Sequence, residues 1–90
     1  MSDFTTALAA LPDGTFFGTV GGRRYVATKS LFAGGKSVKL VAEELGGTDY
    51  ISLNWYDIGP GGRLKPCEMP EAKVRSFVER LVIEAPGGDV

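Results

Sequence analysis

Four Gly-Gly pairs, Gly21-Gly22, Gly34-Gly35, Gly46-Gly47 and Gly61-Gly62, divide the middle of this 90-residue chain at regular intervals. Glycine supplies the positive φ that tight hairpins demand, so turn signals recurring in this way point to an antiparallel meander. The segments between the pairs agree. Within residues 49–66 (DYISLNWYDIGPGGRLKP), Ile51, Leu53 and Trp55 alternate with Tyr50, Ser52, Asn54 and Tyr56. That period of two marks a strand with one face in a core. Residues 23–32 (RRYVATKSLF) read as a strand returning from Gly21-Gly22, after a shorter strand at 15–20 that Gly18 weakens.

Residues 36–45 (KSVKLVAEEL) satisfy two periods. Val38, Val41, Ala42 and Leu45 recur at helical spacing, while Val38, Leu40 and Ala42 alternate. The segment is short and bracketed by glycine pairs, which favours a strand. Further on, the spacing predicts a helix. Pro70 suits its first position, Glu71 its positive end, and Ala85-Pro86-Gly87-Gly88 its close. Val74, Phe77, Val78, Leu81 and Val82 make its apolar stripe, with Glu71, Arg75 and Glu79 at i,i+4 spacing on the wet side. This stripe should cover the Ile51/Leu53/Trp55 face. Near the N-terminus, Ser2 or Asp3 can cap a short helix with Phe4, Ala7, Leu8 and Leu11 on one face, ended by Pro12-Asp13-Gly14.

The expected fold is therefore α+β: a meander of four to five strands under a C-terminal amphipathic helix, with a short helix before it. One domain of this length holds a modest core, a size at which self-association helps. Residues 1–22 form an extension of helix and strand, 23–84 the core, and 85–90 a flexible tail.

Composition narrows the chemistry. Histidine is absent, which removes the commonest general base and rules out Cys/His zinc sites within one chain. Cys67 is the single cysteine, so no intrachain disulfide forms and no histidine activates it as a nucleophile. Gly35-Lys36-Ser37 ends like a phosphate-binding loop, but Ser30 stands where that pattern needs its first glycine. Glu43 and Glu44 are neighbours on one strand and face opposite ways, so they cannot act on one substrate. No catalytic constellation is visible, and neither an enzyme nor a cofactor is expected. The N-terminus lacks a basic region followed by an apolar run, and no stretch approaches the roughly 20 apolar residues of a membrane span. A cytoplasmic protein without membrane contact is expected.

Charge is more informative. The formal net charge is −1, yet Arg23, Arg24, Lys29, Lys36 and Lys39 fall between Val20 and Leu40 with no acidic residue among them. Arg63 and Lys65 follow the alternating strand. Basic residues interleaved with Tyr50, Tyr56 and Trp55 are what single-stranded nucleic acid binding uses, charges tracking phosphates and aromatic faces stacking bases. A protein-interaction domain is the alternative, because Glu43, Glu44, Asp49 and Asp57 balance the total.

From Arg23 to Ile83 the order of these residues resembles the single-stranded-DNA-binding domain of the transcriptional positive cofactor four family, including its short bacterial members. A basic strand, a glycine hairpin and a second strand lead into Ile51, Ser52, Leu53, Asn54, Trp55 and Tyr56. The glycines at 61 and 62, Leu64-Lys65-Pro66 and a Pro-started helix follow. Asn54 stands where the family has arginine, and Cys67-Glu68-Met69 replaces a Lys/Gly-rich strand. The resemblance implies a homodimer that binds single-stranded DNA or RNA through its sheet. Arg23, Arg24, Lys29, Lys36, Lys39, Arg63 and Lys65 would serve the phosphates, and Tyr50, Asn54 and Tyr56 the bases or sugars.

Overall fold

The computed structural model describes residues 4–57 and 62–84. The proposed capping residues Ser2 and Asp3, most of the turn at 59–62 and the tail at 85–90 lie outside the described residues. The elements run α1 (Phe4–Ala10), β1 (Gly14–Val20), β2 (Arg23–Phe32), β3 (Ser37–Glu44), β4 (Tyr50–Tyr56), β5 (Arg63–Pro66), α2 (Glu71–Arg80) and β6 (Val82–Ile83). A single 3-10 turn, Ala33–Gly35, joins β2 to β3. The strands form one antiparallel sheet in the order β5-β4-β3-β2-β1-β6. Residues 36–45 are thus a strand: the glycine pairs and alternation prevail over the helical spacing.

One sheet face carries the core, with the helices lying on it. Phe16, Tyr25, Ala27, Val38, Leu40, Ala42, Ile51 and Leu53 are buried under Val74, Phe77 and Val78 of α2 and Phe4 and Leu8 of α1. Trp55 and Leu64 extend this face toward the β5 edge. The two helices meet where the Arg75 guanidinium lies 5.1 Å from the Phe4 ring centroid, while Arg75 Nε donates to Glu71 at 2.6 Å.

The helix stops earlier than its stripe suggests. Pro70 sits just before α2, and its carbonyl accepts from the Lys73 amide at 3.0 Å. At the far end Leu81 turns extended (φ −66°, ψ 128°), so Val82 belongs to β6 rather than to the helix. β6 closes the sheet by pairing Gly18 with Ile83 and Thr19 with Val82. β-branched Val82 and Ile83 suit a strand better than a helix, and the open edge of β1 offers backbone partners. Gly18 permits this approach: a Cβ there would lie 2.8 Å from both Leu81 Cδ1 and the Val82 carbonyl oxygen. Gly18→Val should therefore destabilise the domain by about 1–3 kcal/mol through overpacking. Hydrogen exchange should locate the damage, because the Glu84 amide donating to the Phe17 carbonyl at 2.9 Å would lose protection first.

A buried-edge network fixes the loop before β4. Tyr25 Oη donates to Asp49 Oδ2 at 2.7 Å, and Lys73 Nζ donates to Asp49 Oδ1 at 2.8 Å. These two bonds, Lys73's first, hold the Asp49 carboxyl below its usual range, while burial and Asp49 raise the Tyr25 phenol. A depressed carboxylate stabilises the fold above its unfolded pKa, and that contribution disappears as pH falls through its folded pKa. Melting temperature should fall on acidification below about pH 4. In Asp49→Asn the fall should be shallower, from a lower starting value.

Candidate nucleic-acid interface

Strand alternation sends every second side chain to the sheet face opposite the two described helices. Register then groups them. One row across four strands reads Ser30, Lys39, Asn54, Lys65, and the next reads Phe32, Ser37, Tyr56, Arg63. With strands about 4.8 Å apart, Lys39 and Lys65 flank Asn54 at a backbone separation near 10 Å, and Phe32 and Tyr56 flank Ser37 likewise. Lys36 adds a cation in the turn leading into β3, where its carbonyl accepts from the Asp57 amide at 2.8 Å. None of Lys36, Lys39, Arg63 and Lys65 pairs with a described carboxylate. Neither row contains an acid.

Asn54 is oriented within its row. Its Nδ2 donates to Cys67 Sγ at 3.6 Å, which turns Oδ1 into the available acceptor between two lysines. An arginine at this position would place three cations side by side on adjacent strands, which like-charge repulsion disfavours.

Four expected contact residues lie elsewhere. Lys29 is a correction: it shares the parity of Tyr25 and Ala27, is 5% exposed, and points into the helix-covered side. Its Nζ donates to the carbonyls of Leu8 and Leu11, both at 2.9 Å, and lies 3.7 Å from Asp13. It thereby satisfies the C-terminal carbonyls of α1, an internal duty that removes it from any phosphate. Arg23 also falls on the helix side, 3.9 Å from Glu44. Arg24 is on the open face but at its far end, stacked 4.7 Å over the Phe17 ring. Its Nε and Nη2 donate to Glu84 at 2.6 and 2.9 Å, and this bond lowers the Glu84 carboxyl from its ordinary value. Tyr50 begins β4, roughly 20 Å along the strand from Tyr56 by strand rise, with Lys73 Nζ 5.9 Å from its ring centroid.

Phe32 joins the group although its sequence position at a strand end does not advertise it. It is 52% exposed beside Ser37 and Tyr56. The signal lies in the Gly34-Gly35 hairpin, whose register sets Phe32 opposite Ser37. Among the described residues, no three His, Cys, Asp or Glu side chains gather as a metal site, and no helix is long and apolar enough to cross a membrane.

Comparison with protein-family models, curated proteins and solved structures found no match to this chain.

Proposed function

We propose that the protein binds single-stranded nucleic acid, DNA or RNA, on the open sheet face at its β3-β4-β5 end. The observation that carries this reading is the pair of adjacent rows, Lys39-Asn54-Lys65 and Phe32-Ser37-Tyr56-Arg63, cationic and aromatic without an acid. Lys36, Lys39, Arg63 and Lys65 meet the phosphates. A base lies over Ser37 against Tyr56 or Phe32, and Asn54 Oδ1 accepts from a base amino group. Flat rings and long cations suit a flexible strand whose bases are unstacked, and they impose little sequence preference.

Tyr56→Ala separates stacking from charge. It should weaken binding of a labelled single strand by about 1–3 kcal/mol and leave the salt dependence nearly unchanged. Arg24→Ala should have little effect, because its guanidinium is already engaged by Glu84.

A protein partner is the competing occupant, favoured by apolar residues elsewhere on the same face, where Phe17 and Val41 are 41% and 37% exposed. Such a face would discriminate against neither high salt nor a Tyr56 truncation in nucleic-acid assays, since it would show no binding there at all. The homodimer belongs to the same proposal. The outward side of α2 is charged, so pairing would use the β6 edge that follows it, where Val82 and Ile83 are 65% and 37% exposed. Sedimentation at micromolar concentration should return twice the chain mass.

A further inference from the structure

The helix-covered side of the sheet bears a second basic site, independent of the nucleic-acid reading. A cleft of about 330 Å³ opens between α2, the β1-β2 turn and the start of β4. That volume is at the low end of small-molecule sites. Three cations from two elements line it: Arg23 from β2, and Lys73 and Arg80 from α2. Among the described residues Asp49 is the one carboxylate in the lining, and both of its oxygens are occupied, by Tyr25 and by Lys73. Asp49 therefore acts as a strut that fixes Lys73, and it does not neutralise the arginines.

Arg80 forms no ion pair with any described residue, and its guanidinium lies over the β1-β2 turn, with Nη2 3.2 Å from where a Gly21 Cβ would be. Arg23 lies 3.9 Å from Glu44 and also meets the Tyr25 hydroxyl, and its side chain is 61% exposed. With five N–H donors on each guanidinium, both arginines keep donors for a ligand, and guanidinium geometry matches phosphate oxygens in pairs. Beneath them Val20, Ile51 and Phe77 form an apolar floor, with Ser76 at its margin.

We propose that this cleft binds a small organic phosphate, the phosphate held between Arg23 and Arg80 and the organic body resting on the Val20/Ile51/Phe77 floor. An acidic small molecule of this kind fits a concentration of positive charge in a chain whose total charge is −1. The site lies on the opposite face of the sheet from Lys39 and Lys65, so the two surfaces can be tested separately.

The test is a titration of the isotopically labelled full chain, followed by amide chemical shifts, with inorganic phosphate, adenosine monophosphate and adenosine. Both phosphate-bearing probes should shift amides around Gly21–Arg23, Asp49–Ile51 and Ser76–Arg80, and saturate, with the nucleotide binding more tightly. Adenosine alone should bind far more weakly. Arg80→Gln and Arg23→Gln should each weaken the nucleotide by about tenfold or more, the scale of one lost charge-assisted hydrogen bond. Both side chains are exposed, so the spectra should otherwise remain those of the folded parent. The proposal is overturned if phosphate shifts do not saturate, if they centre on Lys39 and Lys65, or if both arginine variants bind as the parent does. Equal affinities for inorganic phosphate and the nucleotide would overturn its organic half by removing the apolar floor from the site.

Discussion

Phe77→Ala is expected to lower the free energy of unfolding by about 3–5 kcal/mol. Phe77 is 4% exposed and meets the Tyr25 ring edge to face, with centroids 4.9 Å apart and planes at 77°. Its truncation removes buried area and also the ring that supports Tyr25, whose hydroxyl holds Asp49. The packing between α2 and the sheet would open at its centre. Domains of this kind have about 5–15 kcal/mol of stability in all, so much of the total is at stake. Urea denaturation should show a lower midpoint with an unchanged slope. A variant that unfolds at the parent's midpoint would mean that α2 is not what closes the core.

The second large effect concerns charge on the open face. Lys39→Glu combined with Lys65→Glu places two acids on either side of Asn54, in the row proposed to follow phosphates. Each lost phosphate contact should reduce the salt slope of single-strand binding by about 0.7. Reversing both charges should also repel the strand, so binding at moderate salt should vanish. Both side chains are exposed, and stability should stay within about 0.5 kcal/mol of the parent. The reverse pattern, lost stability with retained binding, would place the interface elsewhere.

Most of the sheet was legible in the sequence because two simple signals agreed. Glycine pairs marked the turns, and alternation in residues such as Ile51, Leu53 and Trp55 assigned the core face. Three features depended on contacts far apart in the chain. Val82 lies on the helical stripe by spacing, but the open edge of β1 beside Gly18 captured it for β6, and local periodicity has no access to that competition. Lys29 was read by its charge. Its parity with Tyr25 and Ala27 already put it on the core side, and the need of α1 for partners to its last carbonyls explains why a lysine is tolerated there. Arg24 was read as a phosphate contact, yet Glu84, distant in sequence, occupies its guanidinium once β6 docks.

The site itself was only partly legible. Lys39, Asn54, Tyr56, Arg63 and Lys65 come together as strand parity requires. Arg23 separates from Arg24 for the same reason, since neighbours on a strand face opposite sides. Phe32 depended on register through a hairpin, and register is set by the turn and the packed face together.

Fluorescence polarisation of a labelled single-stranded oligonucleotide, titrated with the parent protein at a series of salt concentrations, tests the central claim most directly. If Lys36, Lys39, Arg63 and Lys65 each neutralise a phosphate, log K should fall linearly with log salt with a slope of roughly −3. Absence of binding at low salt, or binding indifferent to salt, would contradict the claim that this face engages a phosphate backbone.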